Sequence, residues 1–508
     1  MIMISSRRLP AALLAVLLSC SCAPAQDNPP SPSPPSSTLP DQGPIGKVPP
    51  PSPQPEFTLE TCIARALQKN FDLEIQRFNP QIAKDSIEIA QGGYQPQLAV
   101  SGATGESASP SFTSKTSDLR VGVTQRLYTG TTVSASSRID RSSSDPAFSA
   151  LDPAYTADLT LSVRQSLLRG FDVGVNRAGI NRAEIGLQRA NLDFKATALD
   201  VIQDTENAYY NLAFAREQLT VRNFSRALAN KLHDEARIRR DTGVATDLDV
   251  LQAEVGVANA RRNVILAEQS VKDRQDALLA LIGQFELDAT LGTVRFAEVS
   301  EATPVFASSY LMAKQYQPDY LSAQAAIKQM KLDLKVTKDS AKPDFTVGAA
   351  LGLSDTNGSG QNAFSDALDR QDHSWQVDFA FNYPWGLTSD RARYRQSLAT
   401  LNREQVRLKQ IEQNIELQVR RAVRSVEANV ESVKIATFAA LLSERQYELE
   451  KARFDAGLST SRRVLEAQDD LEAARMNELQ ARVALHTASA GLHRVEGSSL
   501  QRYNITLP

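Results

Sequence analysis

The feature that most constrains the fold is an internal duplication. At an offset of 247, residues 63 to 105 match 310 to 352 without a gap, pairing Ala66 with Ala313, Lys84 with Lys331, Pro96 with Pro343 and Gly105 with Gly352. At an offset of 214, residues 177 to 283 match 391 to 497, pairing Arg177 with Arg391, Gly243 with Gly457, Thr246 with Thr460 and Gly283 with Gly497. A period this long makes the supersecondary unit, not the single element, the thing to be explained. The offsets 247 and 214 differ by 33, so the first copy carries about 33 additional residues between its first helix and its long helix.

Each copy opens on a helical pattern that stops at a proline, at Tyr94-Gln95-Pro96 and at Ala341-Lys342-Pro343, because proline cannot continue a helix. Alternating segments follow, with apolar residues at every second position: Leu98 and Val100; Leu119, Val121 and Val123; Val133 and Ala135; Leu159, Leu161 and Val163. The second copy has Phe345, Val347, Ala349 and Leu351, then Val377, Phe379, Phe381 and Tyr383. Period two over about ten residues is the pattern of a tilted strand that crosses a membrane. Four strands are expected in the first copy (97–167) and two in the second (344–385). The surplus pair, Asp118 to Tyr128 and Thr131 to Ile139, accounts for the 33-residue excess. The pattern leaves open whether that hairpin joins a barrel or lies outside it as a loop or plug.

Next, each copy runs helical for roughly 64 residues, Arg177 to Arg240 and Arg391 to Arg453, or about 96 Å. Two heptad stripes run along the first: Ala178, Ile185, Leu192, Leu199, and Ile180, Leu187, Phe194, Val201. Residues two apart lie about 200° around a helix, so the stripes face opposite ways. The second helix has Tyr394, Leu401, Leu408, Ile415 on one side and Ala392, Ala399, Val406 on the other. A two-stranded coiled coil needs one seam; two opposed seams require neighbours on both flanks, as in a tube of helices.

The N-terminus carries Arg7 and Arg8, an apolar run from Leu9 to Leu18, then Ser19 and Cys20, the order of a secretory signal. Leu17-Leu18-Ser19-Cys20 resembles a lipobox, which makes residues 1–22 a lipoprotein-type signal with Cys20 the lipid-bearing residue; ordinary cleavage near Ala23 or Ala25 is the alternative. Residues 23–56 are rich in proline and serine and form a tether. The domain reading that follows is 57–283 for the first repeat, 284–307 for a connection, 308–497 for the second repeat and 498–508 for a tail. No run reaches the roughly 18 apolar residues of a spanning helix, so any crossing has to be a β-barrel.

Chemistry-bearing patterns are sparse. With Lys+Arg 56 against Asp+Glu 59, no basic excess exists to bind a nucleic-acid backbone. The four histidines, His233, His373, His486 and His493, lack metal-ligand spacing, and no phosphate loop or nucleophile elbow occurs. We therefore expect no catalytic residue, cofactor or metal. Cys62, in an apolar helix, reads as buried core.

Each long helix ends at a short break, Asp241-Thr-Gly-Val-Ala-Thr-Asp-Leu-Asp-Val-Leu-Gln-Ala-Glu254 and Asp455-Ala-Gly-Leu-Ser-Thr-Ser-Arg-Arg-Val-Leu-Glu-Ala-Gln468, and a helix of about 37 residues returns. Gly243 and Gly457 stop the helix, Thr246 and Thr460 are positioned to cap the next, Asp247 and Asp249 favour its dipole, and Val250-Leu251 or Val464-Leu465 restart packing. These breaks, with FTLETCIARALQKN, QSLLRGFDVGVNRA and YPWGLTSDRARYRQS, resemble the TolC-like outer-membrane efflux family over residues 57 to 497. The resemblance implies a mainly helical fold with membrane β: a homotrimer whose strands pool into one outer-membrane barrel continued by a periplasmic α-helical barrel. It also implies a passive channel that docks to an inner-membrane transporter through a periplasmic adaptor. Competing readings are a periplasmic adaptor, which would carry one hairpin rather than two copies, and a structural coiled-coil lipoprotein, which would leave the strands unexplained.

In that family the second break lines the closed periplasmic end, with a carboxylate beside the Val-Leu pair. Here the position is Glu466, and Asp469 and Asp470 share its face by i+3 and i+4 spacing. Threefold symmetry would cluster them into a charge-selective ring. Alternatively, Glu466 pairs with Arg462 or Arg463 as a solvated surface bridge. Arg463 stands where family members often have an acidic residue, which makes a mixed-charge ring. Val244 and Leu458, beside Gly243 and Gly457, are candidate adaptor contacts or, alternatively, hairpin packing.

Overall fold

The computed structural model describes residues 58–506 apart from 146, 148–149, 245, 284–295, 297–302, 370–371 and 384. The signal, Cys20, the tether and most of the connection 284–307 lie outside the described residues. The chain begins with α1 (Leu59–Lys69) and α2 (Phe71–Gly92), then β1 (Gln97–Ser109), β2 (Phe112–Arg126), β3 (Thr131–Asp145) and β4 (Ala154–Ser166). A single turn, α3 (Val173–Asn176), leads into the long helix α4 (Ala178–Asp241) and its return, α5 (Asp247–Leu281). Beyond residue 303 come α6 (Phe306–Tyr316), α7 (Pro318–Ser340), β5 (Asp344–Asn357), α8 (Gly360–Leu368), β6 (His373–Asn382), α9 (Thr388–Asp455), α10 (Ser461–Glu496) and α11 (Ser499–Arg502).

Three local features depart from expectation. The opening helical pattern is two helices, not one, in each half. Asn70 breaks the first by capping α2 through its side chain, which accepts from the amides of Asp72 and Leu73. Gln317 followed by Pro318 at the first helical position breaks the second. Pro80, by contrast, sits inside α2 without ending it. The helix α8, between the two strands of the second half, has no counterpart in the alternating pattern; Ala363 and Ala367 bury against Ala157 of β4.

All six strands form one antiparallel sheet in the order β1-β2-β3-β4-β5-β6. The two surplus strands are therefore paired into the sheet between β1 and β4. Their span also exceeds the expectation: β2 and β3 reach 15 residues each.

The helices are held by aliphatic seams. Helix α4 of 64 residues and α9 of 68 are about 96 and 102 Å long. Helix α4 packs against α2, α5, α7 and α10. Val201, Tyr209 and Leu212 of α4 bury with Leu278 and Leu279 of α5 and with Cys62 of α1, while Phe194 and Ala198 bury with Leu73 of α2. Leu199, on the other stripe, buries with Ile63 of α1 and Leu500 of α11, so both stripes of α4 meet neighbours within the chain. In α9 only one does: Leu401 and Ile415 are buried, whereas Val406 on the opposite stripe is 66% exposed. At the far end, Leu232 of α4 joins Tyr447, Phe454, Val464, Ala467 and Leu471 in one cluster, which ties the two helical hairpins together near their tips.

Candidate functional site: the two-faced sheet, the open edges and the helix tips

Register decides what the sheet can face. One row across it reads Leu98, Val123, Ala135, Leu161, Leu351, Trp375. The adjacent row, whose side chains point the other way, reads Gln97, Thr124, Ser134, Ser162, Ala350, Gln376. Over the part of the sheet nearer the helices every strand obeys the same division, so one side there is a continuous apolar band and the other is polar; towards the opposite rim the apolar side gives way to Glu106, Lys115, Arg141 and Asp355. Trp375, Phe379 and Phe381 on the apolar side are 74%, 78% and 61% exposed. Water penalises that much bare aromatic surface by kilocalories, whereas lipid does not. No helix among the described residues is long and apolar enough to cross a membrane, so the sheet is the part of the described chain suited to it.

The polar side carries its own architecture. Arg164 of β4 and Asp378 of β6 form an ion pair at 3.4 Å, reaching across the intervening β5 at Gly348. A Cβ at Gly348 would fall 2.5 Å from the Asp378 carboxylate oxygen, so glycine is what lets the pair close over the strand. Arg138 and Asp140 pair at 2.7 Å on the same side. Sequence reading passed over this arrangement because three residues on three strands show no linear motif.

The sheet joins the helices through a dense polar junction. Gly170 N–H donates to Asp339 at 2.7 Å, Lys342 pairs with Asp339 at 2.6 Å, Arg182 with Asp333 at 2.6 Å, and Lys335 with Asp172 at 2.9 Å. The β2–β3 turn belongs to this junction. Gly130 adopts φ +80°, and a Cβ there would lie 2.3 Å from the Gly170 carbonyl oxygen. Tyr128 of that turn packs against Tyr94 with ring centroids 4.5 Å apart and planes tilted by 40°, and Arg177 lies 5.5 Å over its ring.

Among the described residues the chain has two bare edges. In the sheet they are β1 and β6, which follow α2 and precede α9. In the helices, α2 exposes Ile75, Phe78, Ile82 and Ile89, and α5 exposes Leu248, Leu251, Val255 and Ile265. At the other edge α9 exposes Ile435, Phe438, Leu442 and Leu449. The α2 and α9 sets share a spacing of 3, 4 and 7 residues, that of a coiled-coil seam, and the α5 and α9 sets lie within the same ~30 Å of the tips. The signal for the α2 stripe is the heptad spacing within α2 itself.

At the tips, Gly243 and Gly457 have φ +77° and +74°, the left-handed conformation that closes a helix C-terminus. Val244 N–H reaches back to Arg239 O, and Leu458 N–H to Arg453 O, both at 2.8 Å. Val244 and Leu458 themselves are 76% and 73% exposed, so neither packs within the hairpin. Thr246 caps α5 in a reciprocal box with Asp249: the Asp249 amide donates to Thr246 Oγ1 at 3.3 Å and the Thr246 amide to Asp249 Oδ2 at 2.9 Å. Thr460, at the equivalent place, makes no side-chain cap, and Arg463, not an acid, at the third helical position of α10 has no oxygen to return the reciprocal bond to the Thr460 amide. The two Val-Leu pairs also differ. Val464 is buried, but Leu251 is 56% exposed, so the first pair restarts no packing around Leu251.

The structure brings Arg462, Glu466, Asp469 and Asp470 onto one exposed face of α10, opposite the buried Val464, Ala467 and Leu471. Arg462 Nε donates to Glu466 Oε1 at 2.9 Å; both side chains are well solvated, so the pair contributes at most tenths of a kcal/mol. Arg463 is exposed beside them. Asp469 is pushed above the usual carboxylate range, by desolvation first and by Asp470 second. Among the described residues no group of His, Cys, Asp and Glu could hold a metal. Cys62 is fully buried, and burial raises its thiol to about 11.

A lipid-compatible sheet continued by rods about 100 Å long defines a class: an envelope channel protein. The family model described as outer membrane efflux protein matches residues 132–284 and 310–498, and the chain belongs to that family. It is accordingly an outer-membrane channel protein, not an enzyme. The chain is 24% identical over 371 residues to the pyoverdine export outer membrane protein OpmQ of Pseudomonas aeruginosa, covering 70% of this chain and 74% of that one. It is 23% identical to the outer membrane efflux protein BepC of Brucella suis, over 87% of this chain and 85% of the relative. Among solved structures, the outer-membrane channel OprN superposes with a TM-score of 0.67 at 18% identity, covering 87% of this chain and 90% of that chain. CusC superposes with a TM-score of 0.65 at 15% identity, covering 86% and 92%.

Proposed function

We propose that this protein is the outer-membrane duct of a tripartite export system: a trimer that passes solutes passively from an inner-membrane pump and a periplasmic adaptor to the exterior. The single observation that carries the reading is the pair of bare edges. Strand β6 and the apolar stripe of α9 on one side, with β1 and the stripes of α2 and α5 on the other, can be satisfied together only by a neighbouring copy placed head to tail. Repetition of such a contact closes into a ring. The two halves of the chain, 57–283 and 308–497, act in this reading as duplicated units that each supply strands to the barrel and a hairpin to the helical tube. Cys20 anchors the mature protein to the membrane through lipid, and the tether 23–56 gives the anchor reach.

Gating falls to the tips. Glu466, Asp469 and Asp470, with Arg462 and Arg463 interleaved, form a mixed-charge constriction when three copies meet, and the charge balance there sets ion preference. Val244 and Leu458, turned outward by Gly243 and Gly457, supply apolar contacts for the adaptor. Relatives named for pyoverdine export and for toxin and drug export support a cargo delivered by a partner pump.

The gate is tested in planar bilayers: Glu466→Ala should alter conductance or cation preference, and unchanged values would remove Glu466 from the constriction. Isolating the native complex from its envelope should bring down an adaptor; recovery of the channel with no adaptor under gentle extraction would count against tripartite assembly.

A further inference from the structure

Six strands per chain is an unequal contribution from the two halves: four precede α4 and only two precede α9. The matched segments of the family model take in β3 to β6 and leave β1 and β2 outside them. A ring of three subunits with two strands per half would close with twelve. We infer that every strand of this chain is a stave of the wall, so that the barrel closes with eighteen, six from each of three subunits, around a lumen much wider than a twelve-stranded ring would enclose. The inference rests on the trimeric reading above.

Three observations exclude a loop or a plug for the surplus hairpin. First, β2 and β3 lie in the middle of the sheet, each hydrogen-bonded on both sides, so removing them would break the sheet between β1 and β4. Second, their register preserves the two faces. Val121 and Ala135 fall on the apolar side, and Gly122 and Ser136 are paired on the polar side. A hairpin folded into the lumen would have no use for an apolar band aligned with that of its neighbours. Third, its turn is locked to the helix junction, where Gly130 fits under the Gly170 carbonyl and Gln165 Nε2 donates to Thr129 O at 3.1 Å. The hairpin thus runs the full height of the wall, and its 15-residue strands exceed the 9 to 11 or so that a tilted crossing needs.

Width follows from geometry. Strands about 4.8 Å apart, tilted by about 40°, give a backbone diameter of ~36 Å for eighteen strands and ~24 Å for twelve. Side chains fill about 5 Å on each wall, half the usual sheet-to-sheet spacing, leaving ~26 Å against ~14 Å. Barrels of 16 to 18 strands retain an aqueous channel. The barrel of this protein therefore passes bulky solutes that a twelve-stranded ring would retain, and any sizing of cargo falls to the helical tube and its tips.

The test is a cryo-EM structure of the full-length protein in lipid nanodiscs, with the strands counted. Eighteen supports the inference. A trimeric barrel of twelve with the hairpin outside the wall overturns it and leaves the channel reading intact, whereas the absence of any shared barrel overturns both. Independently, nitroxide labels at Val121→Cys and Ala135→Cys should be severalfold more accessible to membrane-dissolved oxygen than to a water-soluble nickel chelate, with the order reversed at Gly122→Cys and Ser136→Cys. Nickel dominance at all four sites would refute a lipid-facing hairpin even where the trimer forms.

Discussion

Replacing Leu161 by arginine puts the two-faced sheet to a quantitative test. Leu161 sits near the middle of β4, between Ala135 and Leu351 on the apolar side, and is 52% exposed. At the bilayer midplane an outward arginine costs about 2 to 4 kcal/mol per copy. That is roughly 30- to 700-fold in the folding equilibrium of each subunit, at 1.4 kcal/mol per decade. In the trimer proposed above, three copies bring the cost to about 6 to 12 kcal/mol. Thr160→Arg is the control. Thr160 lies one residue away between Ser136 and Gly352 on the polar side, where a long charged chain reaches water and Gly352 leaves it room, so its cost should be near zero. The assay is the fraction of membrane-extracted protein that migrates as folded trimer in unheated detergent gels, followed across a urea series. Leu161→Arg should lose the trimer at distinctly lower urea while Thr160→Arg tracks the parent. Equal loss in both variants, or greater loss in Thr160→Arg, would refute the assignment of faces.

Further outcomes follow from the same structure. Gly497→Ala forces a left-handed residue, φ +71°, with its Cβ 2.9 Å from the Tyr316 carbonyl; it should lower stability to urea by at least about 1 to 2 kcal/mol. Tyr503→Phe removes the hydroxyl that donates to Glu206, a residue 4% exposed whose other carboxylate oxygen has no hydrogen-bond partner, and should cost about 1 to 3 kcal/mol in the same measurement. Asp469 has a raised pKa in the folded chain, so its contribution to stability is present in acid and lost as pH rises through its folded value. Asp469→Asn should therefore raise the midpoint at neutral pH and not below the ordinary carboxylate range; a stabilisation independent of pH would exclude the titration. Val244→Asp with Leu458→Asp should leave trimer formation intact and reduce co-isolation of the adaptor, and normal recovery would assign these side chains no part in docking.

The long-range plan was legible because it rests on periodicities that burial enforces. A helix of 64 residues advertises itself through two heptad stripes, and a strand through alternation that one-residue slippage would destroy. The tip glycines were legible because only a residue free of Cβ strain closes a helix in the left-handed conformation. What the sequence concealed depended on partners far along the chain. Leu251 reads as a packing residue, yet stays exposed because its seam faces outward. Thr460 reads as a cap like Thr246, but a capping box needs an acid three residues on, and Arg463 cannot accept. The Arg164, Gly348 and Asp378 arrangement spans about two hundred residues, and helix α8 is too short to show a period. Glu466 is the instructive intermediate: spacing placed Arg462, Asp469 and Asp470 on its face, and the structure shows the Arg462 pair, while the role of that face depends on subunits the sequence does not contain.

The most direct test of the bare edges is disulfide mapping between them. Single cysteines introduced in pairs along β1 (97–103) and β6 (375–381) are separated within one chain by four intervening strands, too far to bond across the sheet. Oxidation in native membranes should therefore link different chains and build a ladder that ends at three. Fast-migrating monomers carrying an internal β1–β6 link would mean that each chain closes a private barrel, and would contradict the account.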